Sequence, residues 1–259
     1  MIKFKINVLL VLMLSFIGAS SIAQTAKPNK GTYALTNATI VTVTNGTIEN
    51  ATIVMQDGKI TAIGTDITVP AGATAYDCTD HFVYPGMIDG GTTLGLVEVS
   101  AVSLTRDADE LGEFTPHMQA LTAVNPSSVA IPVTRVDGVT TVLTQPTGGL
   151  FPGTASLINL VGYTPDQMYA GFQGVILNFP RSGKRGWWDR RSEEEIKKAA
   201  DKAQKKLNGI WEDLELYAKI KMADESDSEM EYNPEMDALM PIYKGEAPLM
   251  IEVNKDKDI

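Results

Sequence analysis

Residues 32 to 84 carry the pattern of β-strands throughout. Thr39-Ile40-Val41-Thr42-Val43 is rich in β-branched side chains. Thr52 to Gln56 and Lys59 to Gly64 flank Asp57-Gly58, a pair that supplies the positive φ angles of a tight primed turn. This predicts a hairpin. A further strand is expected over Ala73 to Cys78, after a Pro70-Ala71-Gly72 loop. Together these form a small antiparallel layer.

Val83 to Asp89 reads as a strand entering a second layer, and the pattern then changes to strand, loop and helix. Gly138 to Leu143, Ala155 to Val161, Val175 to Asn178 and Leu249 to Val253 are near-continuous apolar runs, as in strands covered on both faces. A glycine-rich loop spans Gly148 to Gly153. Ser192 and Glu195 have capping-box spacing and open a long helix. Its apolar positions Ile196, Ala199, Ala203, Leu207, Ile210, Leu214 and Tyr217 predict a core-facing stripe. Lys255 to Ile259 reads as the first turn of another helix, and Asp224 to Glu231 as a solvated acidic loop. Strands alternating with helices imply a parallel sheet. About 170 residues follow Asp89, against roughly 250 for a whole (β/α)₈ barrel. The expected fold is therefore α/β: a small N-terminal antiparallel β-sandwich layer over residues 24–84, then a partial TIM-like (β/α) barrel over residues 85–259.

Residues 1–23 change the picture only in their destination. Lys3 and Lys5 precede an apolar run from Ile6 to Ile17, and Ser21 and Ala23 fit the small-x-small rule. This is the pattern of a secretory signal peptide cut after Ala23, with no stable membrane anchor left behind. A periplasmic or secreted protein is expected. Cys78 is the sole cysteine, so no disulfide forms within the chain; a structural thiol is the expected role. The 44% hydrophobic content suffices for a core, and the net charge of −10 argues against a nucleic-acid partner.

Tyr84-Pro85-Gly86-Met87-Ile88-Asp89-Gly90-Gly91-Thr92-Thr93 resembles the segment that opens the barrel in the amidohydrolase superfamily, where it runs Pro-Gly-(Leu/Met)-Ile-Asp-x-His-x-His. Asn37 to Val41 and Val54 to Gly64 are similar to the entry strands of the imidazolonepropionase-like and related amidohydrolases, Asp137 to Val142 to their second barrel strand, and Gly153 to Leu160 to a segment of the exported bacterial branch. The resemblance covers nearly all the mature chain. It implies a barrel holding one or two divalent metals, zinc for example. There, metal-activated water attacks a carbon–nitrogen bond other than a peptide bond, such as that of a cyclic amide. It also implies that the chain is truncated at its C-terminus, with the barrel unclosed.

The family's ligand positions are replaced. Gly91 and Thr93 stand where its His-x-His pair stands, and Glu252 and Asn254 where a later strand ends in His-Ala-His. No metal site is therefore assigned. Asp89, Thr93, His117, Glu252 and Asn254 are the substrate-binding candidates. His81 is read as structural, and Arg106, Asp107, Asp109, Glu110 and Glu113 as a solvated loop near the barrel mouth. Trp187 and Trp188 are read as a loop anchor; the alternative is a platform beside basic residues for a ring and an anion. Two functions are carried: a hydrolase of a small molecule, with catalysis in doubt, and a non-catalytic periplasmic binding or accessory protein. A homo-oligomer or an active homologue would be the partner.

Overall fold

The computed structural model describes residues 30–223 and 231–254. The expected signal peptide, most of the acidic run and the expected final helix turn lie outside these residues. The chain divides into two compact units, residues 1–83 and 84–259.

The described part of the first unit is one five-stranded sheet. β1 (Thr32–Val41), β2 (Thr47–Gln56) and β3 (Lys59–Gly64) form an antiparallel meander. Asp57 and Gly58 have φ of 50° and 79°, so the expected tight turn is present. β4 (Thr74–Asp77) and β5 (Phe82–Val83) pair along the other side of β1 and run parallel to it. The layer is thus mixed rather than purely antiparallel. Residues 65–73 cross from the β3 edge to the β1 edge, which lets β4 run in the same direction as β1. Ala38, Ile40, Ala51 and Ile53 form its core, and the half-buried Cys78 packs against them.

The second unit is an α/β half-barrel, a curled open sheet in the order β10-β9-β8-β7-β6. Its strands are β6 (Met87–Thr92), β7 (Val139–Thr144), β8 (Gly153–Asn159), β9 (Tyr169–Asn178) and β10 (Leu249–Glu252). β6 starts at Met87 and not at Val83, because Pro85 has no N–H for a ladder. Gly86 is needed for packing. A Cβ there would lie 2.2 Å from Thr140 Oγ1 on β7.

One strand departs from the expected parallel sheet: β8 is antiparallel to both β7 and β9. Connection length explains it. A parallel crossover needs roughly a dozen residues or more. Residues 145–152 form a plain loop, and residues 160–168 hold only the short helix α3 (Pro165–Met168). The parallel pairs have longer connections. Residues 93–138 carry α1 (Ala120–Ala123) and α2 (Ala130–Val136), and residues 179–248 carry α4 (Glu193–Ala223) and α5 (Pro234–Tyr243).

The helices cover one face of the sheet. Val175 and Leu177 pack with Leu207, Ile210, Leu214 and Tyr217 of α4 and Leu239 of α5. Val142 and Ile158 pack with Ala120, Val124, Ile131 and Met168. Each fully buried Leu or Ile contributes about 1.5–3 kcal/mol. On the opposite face Leu143, Ala155 and Ile176 form a small inner cluster. The alternation along β9 thus separates inner from outer core.

Candidate functional site

β6, β7, β9 and β10 point the same way, so their C-terminal ends share one mouth. Polar side chains gather there. Gln145 follows β7 and its N–H donates to Thr92 O at 2.9 Å. The curl of the sheet brings its side chain to the last residue of β10, and Gln145 Nε2 donates to Glu252 Oε1 at 2.5 Å. A Cβ on Gly91 would sit 3.3 Å from Gln145 Oε1. Asp89 Oδ1 accepts from the Gly91 N–H at 3.1 Å. Beside Glu252 on the neighbouring strand, Asn178 Nδ2 donates to the carbonyls of Gly148 and Gly149 at 2.8 and 3.0 Å. Arg181 Nη2 donates to Asn254 Oδ1.

A cavity of about 440 Å³ opens beside this set. Gly148, Asn178, Arg181, Arg185, Glu252 and Asn254 line one side. Ile196, Ala199, Ala200 and Ala203, on the first turns of α4, line the other. Two ion pairs frame it. Lys206 Nζ lies 2.7 Å from Glu113 Oε2, and the hydrogen bond and charge of Lys206 hold that carboxyl below its usual range. Arg191 donates to Asp189 through Nε and Nη2, which depresses the Asp189 carboxyl.

The residues present do not fit a divalent metal of the kind the resemblance implies. Gly91 offers no donor, and Thr93 only a neutral hydroxyl. Glu252 is engaged by Gln145. Among the described residues, no three His, Cys, Asp or Glu side chains are grouped to hold an ion.

Of the sequence candidates, Glu252 and Asn254 line the cavity. Asp89 lies on β6, where it accepts from the Gly91 N–H, and Thr93 is half-buried just past the end of β6. His117 is elsewhere. It sits on a strap, residues 114–119, that runs beside the start of β8 through bridges Phe114–Phe151 and Gln119–Thr154. It is half-buried, and its Nδ1 has no hydrogen-bond partner among the described residues. His81 Nδ1 lies 2.7 Å from Thr79 O. In the loop expected near the barrel mouth, Arg106 and Asp109 pair at the surface, whereas Glu113 reaches the cavity.

Two sequence readings change. Trp187 and Trp188 do not anchor their loop in the core, being 97% and 61% exposed. The loop is held instead by Asp189, which accepts from the Arg185 N–H and the Arg191 side chain. The α4 stripe is core from Leu207 onward, but Ala199 and Ala203 line the cavity. Gln145 and Asn178 were not singled out from the sequence. Their place at strand C-termini, where barrels put functional groups, was the available signal.

No family model matches the chain. Among curated proteins, the imidazolonepropionase of Brucella anthropi is 33% identical over 75 residues, which are 26% of this chain and 18% of that protein. Among solved structures, an amidohydrolase from Thermotoga maritima MSB8 aligns with a TM-score of 0.74. The chain shares the fold of that structure. Sequence identity to that structure is 21%, and the match covers 87% of this chain and 59% of the Thermotoga one. The likeness is therefore one of fold, and the chain spans less than two thirds of either relative. Among the described residues no helix is long and apolar enough to cross a membrane.

Proposed function

We propose that this is an exported hydrolase acting on a carbon–nitrogen bond other than a peptide bond, such as that of a cyclic amide. The observation that carries the reading is the Gln145–Glu252 pair at the C-terminal mouth of the half-barrel, the end at which barrel folds do their chemistry. The Glu252 carboxylate suits a substrate N–H, and the Gln145 amide suits a substrate carbonyl or N–H. In this reading the described residues recognise and orient the substrate. No metal-dependent step is assigned to them.

The test is ring opening of hydantoin, imidazolone and lactam substrates by the full-length protein from its native source. Turnover of at least one is expected, with a loss of about 100-fold in kcat/KM for Glu252→Gln. Failure to open any of these rings would overturn the reading.

A second reading is a non-catalytic periplasmic binding or accessory protein. The poor fit of Gly91, Thr93 and Glu252 to a metal supports it. It expects ligand binding without turnover, or co-purification with an active homologue.

A further inference from the structure

We infer that the cavity beside α4 takes a small carboxylate with an aliphatic body. Four basic side chains line it (Arg181, Arg185, Arg191 and Lys206) against two acidic ones, Glu113 and Glu252, in a chain whose net charge is −10. Asp189 satisfies Arg191, and Glu113 satisfies Lys206. Arg181 and Arg185 have no carboxylate within ion-pair distance among the described residues. A guanidinium carries five N–H donors. Arg181 spends one on the neutral Asn254. The remaining cationic capacity lies at the lining of a hollow that no side chain among the described residues fills.

The opposite wall fixes the rest of the ligand. Ile196, Ala199, Ala200 and Ala203 offer apolar surface with little bulk. The volume of about 440 Å³ falls within the roughly 300–1,000 Å³ of small-molecule pockets. An anionic head held by Arg181 and Arg185 would leave an aliphatic body to the apolar wall of α4. This names a substrate class for the proposed hydrolase and rests on that reading for the chemistry, though not for the binding.

The experiment is calorimetric titration of the full-length protein with N-acetyl-L-leucine and, separately, its neutral analogue N-acetyl-L-leucinamide. The acid is expected to bind about tenfold more tightly than the amide. The preference should shrink in high salt and disappear in the double variant Arg181→Gln/Arg185→Gln. Ala199→Phe, which fills the hollow from the helix side, should abolish binding of both probes while the thermal midpoint is kept. Equal affinity for the two probes, no heat with either, or a preference retained in the double variant would overturn the inference. Preference for the acid without ring opening of any cyclic amide upholds this site and sinks the hydrolase. Ring opening without the preference does the reverse.

Discussion

Gly153 shows how tightly single residues are constrained at the rim of the sheet. Its φ is 145°, and a Cβ there would lie 2.5 Å from the carbonyl oxygen of Met118. That oxygen accepts from the Thr154 N–H, so it cannot move away cheaply. Gly153→Ala is expected to cost roughly 1–3 kcal/mol in a denaturant titration. Asp237 is constrained by charge. Burial alone would raise its carboxyl, but hydrogen bonds from Lys221 and the Tyr217 hydroxyl outweigh burial and hold it below 3.8. Its stabilisation is present above that value and is lost as pH falls through the lower folded one. The Asp237 hydrogen bond raises Lys221 above 10.5, so that contribution is present below 10.5 and is lost as pH rises through the folded value. Asp237→Asn should lower stability by about 1 kcal/mol at neutral pH. The deficit should close on acidification, which urea midpoints across pH would reveal.

At the scale of elements, α4 shows what sequence reading can and cannot reach. Its capping box is present. Glu195 N–H donates to Ser192 Oγ at 3.2 Å, and Ser192 N–H donates to Glu195 Oε2 at 2.7 Å. Ser192→Ala should cost about 1 kcal/mol, read from the thermal midpoint. The box was legible because it is local: residues three apart satisfy each other. The division of the α4 stripe into core and cavity wall was not legible. Periodicity says which side of a helix turns inward, but not whether anything meets it there. The direction of β8 was hidden for a related reason. An apolar run suits a buried strand in either direction, and the lengths of residues 145–152 and 160–168 were the better guide. That Gly91 and Thr93 bring no imidazole to the mouth could be read in advance. The reach of Gln145 to Glu252 could not, because it depends on sheet curl across residues 107 positions apart.

At the scale of the molecule, the second unit has two open edges. Among the described residues β6 pairs with β7 alone and β10 with β9 alone. Met87, Ile88 and Ile251 on these edges are more than half exposed. Unpaired ladder groups beside apolar side chains template association. Residues 24–259 produced by themselves should therefore self-associate in sedimentation experiments, and Ile88→Lys should reduce this. A single monomeric species would contradict the expectation.

The reversed strand β8 has a consequence for how such a site can change. Its hairpin loop delivers Gly148 and Gly149 to the cavity as main chain, held by Asn178 through their carbonyls. A visitor on that side meets peptide groups rather than exchangeable side chains. Point substitutions there have little to alter. New selectivity would come more readily from lengthening or shortening residues 145–152, so relatives with different preferences should differ by insertions at this loop before they differ in its residue types.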